Sequence, residues 1–170
     1  MSRVEPAPGL GGELEHFSAY LDFYRDTCIE KCRSLPADEL RASRVPSGWS
    51  PLELLQHLAL MERRWLVWGF LGEPVEDPWG DSGGDDEGRW HVDAERGVDN
   101  VVALMEEYAA RTRAILVSHA PEEIASTGGR FHGFQPPDLR WICFHVLQEY
   151  ARHAGHLDLV VELAGGHTGE

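Results

Sequence analysis

The residues best suited to chemistry are a glutamate and a histidine in the segment from 139 to 163. Glu149 and His153 are four positions apart, so on a helix their side chains lie one above the other and can reach a common point. At about 100° per residue, His153 lies roughly 35° and Glu149 roughly 75° from the centre of the apolar arc of this helix. The pair could therefore give two ligands to one metal ion.

His57 is a third candidate ligand, because it lies at the edge of the apolar stripe of another predicted helix, roughly 60° to 75° from its centre. If the two helices are adjacent, His57, Glu149 and His153 supply two imidazoles and a carboxylate, which leaves a metal position open for water or substrate. His145 and His156 flank the pair, and either could replace Glu149, orient a ligand or act as general base. From spacing alone, a hydrogen-bonded core histidine and a simple helix pair are the alternatives.

Four amphipathic segments must position these residues. Apolar residues spaced by three and four predict helices over 13–34, from 51 to about 70, from about 95 to 119 and from 139 to about 164. Ser50, Pro51 and Glu53 form the signature of a helix start. Trp65 and Trp68 continue the apolar stripe of the second helix, where plain core packing is their expected role.

The connections complete the expected architecture. The sequence has no run of strand alternation, so an all-α fold is expected. Four helices with two long connections predict a four-helix bundle with long crossover connections, in one domain over residues 1–170. We expect residues 1–12 to be a flexible N-terminus. Residues 73–93 are rich in Gly, Pro and acids and predict a long acidic loop, a solvated flexible lid.

Composition restricts the partners. The chain has 170 residues with 29 acidic against 15 basic ones, and its formal charge of −14 argues against nucleic acid or an anionic membrane as a partner. No apolar run is long enough for a bilayer, no secretory signal is visible, and three cysteines form no paired framework, so we expect a cytoplasmic protein. Small molecules are the expected partners, and a homodimer is left open. A single lysine, Lys31, among the basic residues indicates a GC-rich genome.

Two segments resemble the DinB and YfiT-like superfamily of metal-binding four-helix bundles. They are VPSGWSPLELLQHLALMERRW, residues 45–65, and LRWICFHVLQEYARHAGHLDLVVEL, residues 139–163. In many members a histidine pair at i,i+4 precedes a small residue and Gly, as in ARHAGH here, and the resemblance implies that His57, Glu149 and His153 hold the metal. Glutamate at the first position of the pair is similar to the branch with mycothiol-dependent maleylpyruvate isomerase and the actinobacterial thiol transferases, whose metal is held by His, Glu and His.

That branch implies a divalent transition metal, with zinc expected and Ni²⁺ an alternative in a purified sample, and a low-molecular-weight thiol such as mycothiol as cosubstrate. The implied function is a metal-dependent thiol S-transferase that activates the thiol for attack on an electrophile. The shared motif does not fix the reaction. A thiol-dependent isomerase and a non-catalytic metal-binding bundle with a ligand or partner therefore stay as alternatives.

Other side chains have weaker expectations. Trp65 could line a pocket beside the metal, and Arg152 could bind the cosubstrate. His145 or His156 could take the proton that the thiol releases. Arg63 and Arg64 are expected on a solvated basic edge. Cysteines are expected to serve packing; they are Cys28, Cys32 and Cys143.

Overall fold

The structure, a computed structural model, describes residues 4–82 and 88–166 and is all-helical. Within those two ranges only isolated β-bridges occur, Ser82 with Trp90 and Ile124 with Asp138. The predicted all-α class is confirmed. The helices are α1 (Glu13–Ser34), α2 (Ala37–Arg41), α3 (Pro51–Arg63), α4 (Val98–Ser118) and α5 (Leu139–Leu163).

The beginnings of the helices follow local hydrogen bonding. Ser50 accepts from the backbone N–H of Glu53, the Glu53 carboxylate accepts from the Ser50 N–H, and Pro51 is the first helical residue, so the predicted start of α3 is confirmed. Asp138 caps α5 by accepting from the Trp141 N–H at 2.8 Å. The short helix α2 was not predicted, because five residues carry too little periodicity to stand out.

The four long helices share one core. Helix α1 packs against α4 and α5, and α3 packs against the same two helices. The adjacency of α3 and α5 brings His57 to the side of Glu149 and His153. Within the described part of the chain, no helix combines the length and apolar composition needed to cross a membrane. Fully buried side chains from all four helices fill the core, among them Leu21, Leu54, Leu58, Met105, Ile142, Val146 and Leu157.

Helix α3 continues as one π-helical segment, Arg64–Phe70, in which the Leu71 N–H donates to the Leu66 carbonyl, five residues back. The wider turn changes which side chains face the core. Leu66 and Phe70 are buried, whereas Trp65 and Trp68 are only partly buried. Trp65 nevertheless packs against the core, whereas Trp68 does not belong to it, so the prediction of plain core packing is confirmed only in part.

One buried carboxylate connects all four long helices. Glu62 of α3 is fully buried and accepts from Arg25 of α1 at 2.7 and 2.9 Å. It also accepts from the Tyr150 hydroxyl of α5 at 2.7 Å and from the Thr112 hydroxyl of α4. Because each polar group is paired, the charges lie in the core without an unsatisfied partner.

We predict that Glu62→Ala lowers the free energy of unfolding by about 3–5 kcal/mol, because it leaves the Arg25 guanidinium buried without its carboxylate. Urea denaturation followed by circular dichroism measures the change. The control is Glu73→Ala, which removes a half-exposed pair with Arg111 and should cost about 1 kcal/mol or less. Equal losses in the two variants would contradict the central role of Glu62.

Candidate metal centre

Three side chains from α3 and α5 meet at one point. One ligand atom from each of His57, Glu149 and His153 lies within 4.8 Å of the others. Glu149 Oε2 is 3.3 Å from His153 Nε2 and 3.8 Å from His57 Nε2. Ligand atoms on one tetrahedral zinc ion are separated by about 3.4 Å, as follows from bonds near 2.0 to 2.1 Å. The arrangement fits a divalent metal with little movement.

The environment of His57 supports this fit. Its Nδ1 lies 2.7 Å from Asp81 Oδ2, so it carries the proton and donates to the carboxylate. The Nε2 atom is buried and has no hydrogen-bond partner. An unpaired buried nitrogen is unfavourable, and a metal ion at the common point would satisfy it.

Asp81 is held by Arg64, the first residue of the π segment. The guanidinium donates to both carboxylate oxygens, at 2.6 and 3.0 Å. Burial opposes ionisation of Asp81, but the hydrogen bonds from His57 and Arg64 outweigh it and lower the pKa to about 2. Asp81 is therefore a carboxylate that fixes the tautomer of His57.

Two expectations fail at this point. Arg64 is buried, with 4% of its surface exposed, so the prediction of a solvated edge is wrong for it; Arg63 is partly buried. The loop 73–93 is not solvated throughout, since Asp81 and Val92 in it are buried; its middle, residues 83–87, lies outside the described residues. Arg64 lies at the start of the π segment, and its side chain is directed inward to the Asp81 carboxylate.

His156 lies beside the Nδ1 atom of His153, as Asp81 lies beside that of His57. The two Nδ1 atoms are 3.2 Å apart. If the His153 N–H donates, its Nε2 keeps a lone pair for a metal and His156 is the acceptor. Burial, then the charges of His153 and Arg152, lowers the pKa of His156, which favours the neutral ring that this bond needs.

Glu149 contributes the negative charge among the three candidate ligands. The close His153 ring and then the His57 ring lower the pKa of Glu149, so it is ionised at neutral pH. For His57, burial disfavours the charged ring, but the hydrogen bond to Asp81 and the nearby Glu149 carboxylate outweigh it and raise the pKa. Two imidazoles and one carboxylate form a set with an open coordination position, which suits a catalytic rather than a purely structural metal.

The three residues line a cavity of about 520 Å³, which we call the metal pocket. Trp90 covers one side, with its ring stacked on His57 at 4.0 Å between centroids and 17° between planes. Sequence reasoning missed Trp90 and Asp81, which lie in the irregular acidic segment where no periodicity singles them out. The other lining residues include Val45, Ser47, Trp49, Arg152, His156 and Leu159.

The remaining predicted site residues divide between two places. Arg152 and His156 line the metal pocket. His145 packs against Trp65, at 4.1 Å between ring centroids, and stacks on Trp141 at 5.5 Å and 9°. Trp65 lines a different cavity from the metal pocket. The structure thus brings His57, Glu149, His153, His156 and Arg152 together, and places His145 and Trp65 beside one another outside that pocket.

The cysteines lie away from this chemistry. Cys28, Cys32 and Cys143 are all buried and unpaired. Burial raises the pKa of Cys28 and of Cys143 to about 12 and that of Cys32 well above its usual value. They are thiols in the core, in agreement with the expected packing role.

Comparison with known families identifies the group to which the chain belongs. A comparison with curated proteins finds no match. The family model described as mycothiol-S-transferase matches residues 16–166, which span α1 to the end of α5 and include all three candidate ligands. The resemblance to a mycothiol-related DinB and YfiT-like family is thereby confirmed, and this chain belongs to the mycothiol-S-transferase family.

Proposed function

We propose that this protein is a metal-dependent thiol S-transferase that joins mycothiol, or another low-molecular-weight thiol, to an electrophilic small molecule. The observation that carries the proposal is the meeting of His57, Glu149 and His153, with a buried, unpartnered His57 Nε2. Family membership supports a thiol as the cosubstrate. When bound, a divalent metal, in our proposal zinc, lowers the pKa of a coordinated thiol and keeps it as thiolate near neutral pH.

The surrounding residues prepare this site. Asp81 holds the His57 ring and His156 holds the His153 ring, so that both Nε2 atoms point to the common position. Trp90 shields one side from water. Arg152, exposed at the pocket, offers N–H donors to polar groups of the cosubstrate.

The released thiol proton needs an acceptor. His145, one helical turn before Glu149, and His156, inside the metal pocket, are the proposed candidates; His156 can accept the proton when its Nδ1 no longer accepts from His153. If the acceptor molecule is a conjugated double bond, thiolate attack followed by loss of the thiol would give isomerisation in place of transfer. Product analysis separates these outcomes.

We also propose how the helices of the chain are arranged. The helix contacts and the shared core support one domain built as a four-helix bundle with long crossover connections. Two such connections are residues 71–97, with the gap at 83–87, and residues 119–138. A cytoplasmic, actinobacterial thiol enzyme agrees with the unpaired cysteines and the preference for arginine.

Metal analysis tests the ligand set. Protein purified without nickel affinity resin should contain or take up about one equivalent of zinc. His57→Ala, Glu149→Ala and His153→Ala should each lose this uptake, because each removes one of the three proposed ligands. His119→Ala, at the C-terminal end of α4, is the control and should bind normally. Normal zinc affinity in Glu149→Ala with loss in His156→Ala would show a three-histidine site.

A second prediction concerns Asp81. We expect Asp81→Asn to weaken zinc affinity by about 10- to 100-fold, because the imidazole then loses the carboxylate that orients it and increases its basicity. Competition with a chromogenic chelator measures the affinity, and circular dichroism checks folding. The control is Asp77→Asn in the same turn. The Asp77 carboxylate is exposed and is not the hydrogen-bond partner of His57 Nδ1, so this substitution should leave the zinc affinity unchanged.

A third prediction concerns turnover. Zinc-loaded protein should conjugate mycothiol to monochlorobimane, and should use bacillithiol, glutathione and cysteine less well. Removal of zinc by a chelator should abolish conjugation, and zinc should restore it. If the His153→Ala variant is well folded but has no turnover, the result supports the proposed enzymatic function. Loss of stability in that variant, with no turnover by the native protein, would instead favour the non-catalytic bundle.

A further inference from the structure

A second cavity, of about 470 Å³, lies beside the π segment and has mostly aromatic walls. We call it the aromatic cleft. Trp79 and Trp141 are each 51% exposed, which is unusual for such large apolar side chains. A concave surface of this size with exposed aromatic walls is typical of small-molecule sites. Its main lining residues are Trp65, Trp68, Trp79, Arg130, Phe131 and Trp141.

Among the described residues that line this cleft, Arg130 alone is charged. Its guanidinium carbon lies 4.1 Å from the centroid of Trp65 and 5.3 Å from that of Trp79. In the described ranges, no carboxylate or other acceptor bonds to its side chain. Burial and the charge of Arg64 lower the pKa of Arg130, as expected for a cation without a counter-ion.

The backbone is built to hold this arginine. Gly129 has φ 53°, a left-handed conformation, and a Cβ there would overlap the Trp68 carbonyl. This close approach lays residues 129–131 against the π segment and stacks Arg130 on Trp65. A guanidinium stacked on its face still presents N–H groups at its edge, where they fit a carboxylate.

The aromatic cleft adjoins the metal pocket through two elements. His145 contacts Trp65 and Trp141 of the cleft and lies one helical turn, about 6 Å, from Glu149. The turn 77–82 gives Trp79 to the cleft and Asp81 to His57. A molecule in the cleft would therefore have to extend past His145 to meet a thiol in the metal pocket, because Trp141 lies two helical turns, about 12 Å, from Glu149.

We propose that the aromatic cleft binds the electrophilic acceptor, and that this acceptor is a planar aromatic or conjugated molecule with a carboxylate that pairs with Arg130. This assignment rests on the proposed thiol transfer. Indole rings stack on the planar skeleton, and Arg130 supplies the missing opposite charge. For a chloroarene acceptor, the carbon–sulfur bond forms, the carbon–chlorine bond breaks, chloride leaves with its electron pair, and the thiol proton passes through His156 or His145 to solvent.

Binding is tested first, on zinc-loaded protein and without any turnover. Titration calorimetry with 2-naphthoate and with neutral 2-naphthamide should show that Arg130→Gln weakens the carboxylate by about 10- to 100-fold, as expected for a charged hydrogen bond. The amide should change by less than about threefold. Arg33→Gln, in an exposed pair with Asp99, is the matched control and should bind both ligands normally. Equal affinities of native and Arg130→Gln protein for 2-naphthoate would overturn the proposal.

Kinetics with mycothiol then tests the acceptor role. The pair 4-chloro-3,5-dinitrobenzoate and 2-chloro-1,3-dinitrobenzene differs only by the carboxylate. Arg130→Gln should raise KM for the carboxylate alone, with little change in kcat. An unchanged KM for the carboxylate, with transfer intact, would overturn this inference but leave the proposed function standing. Absence of transfer by native protein, with Arg130-dependent naphthoate binding, would overturn the proposed function and with it the acceptor role, but not the anion site.

Discussion

The structure depends on the sharing of one buried carboxylate by four helices. Glu62 binds Arg25, Thr112 and Tyr150, so each long helix contributes one polar group to the same point. Glu62 comes five residues after His57, and Tyr150 directly follows Glu149. The hydrogen bond between Glu62 and Tyr150 therefore fixes the position of α3 along α5 close to the candidate metal ligands. A shift of one helix past the other would leave charges unpaired in the core, which makes the ligand geometry a property of the whole fold.

The sequence was most informative where structure is local. Helical periodicity placed the four long helices, and the i,i+4 spacing placed Glu149 beside His153, because both follow from the geometry of a single helix. Long-range choices were different. A π segment has no simple periodic signature, so Trp65 and Trp68 were assigned to the core and Arg64 to the surface. Asp81 is one acid among many in an irregular segment, and only the fold shows that it contacts His57.

The π segment and the turn 77–82, both irregular, therefore supply several residues of the two cavities. The junction between α3 and the π segment holds the turn 77–82 in place, because Arg63 donates to the Asp77 carbonyl at 2.6 Å and Arg64 to the Pro78 carbonyl at 2.9 Å. That turn supplies Trp79 to the aromatic cleft and Asp81 to His57. A displacement of the turn would change both cavities together. Irregular segments on a rigid helical scaffold are, in general, where related proteins differ in what they bind while the helices stay the same.

The burial of the three cysteines has a consequence for durability. Thiols react as thiolates, and a pKa near 12 for Cys28 and Cys143 leaves almost none ionised at neutral pH. All three sulfurs are also shielded from solvent. A protein that repeatedly handles electrophiles and a free thiol would otherwise risk alkylation of its own side chains and mixed disulfides with its cosubstrate. In the proposed reaction the reactive sulfur arrives with the cosubstrate and leaves with the product, so the buried cysteines would not become targets of the compounds that the protein processes.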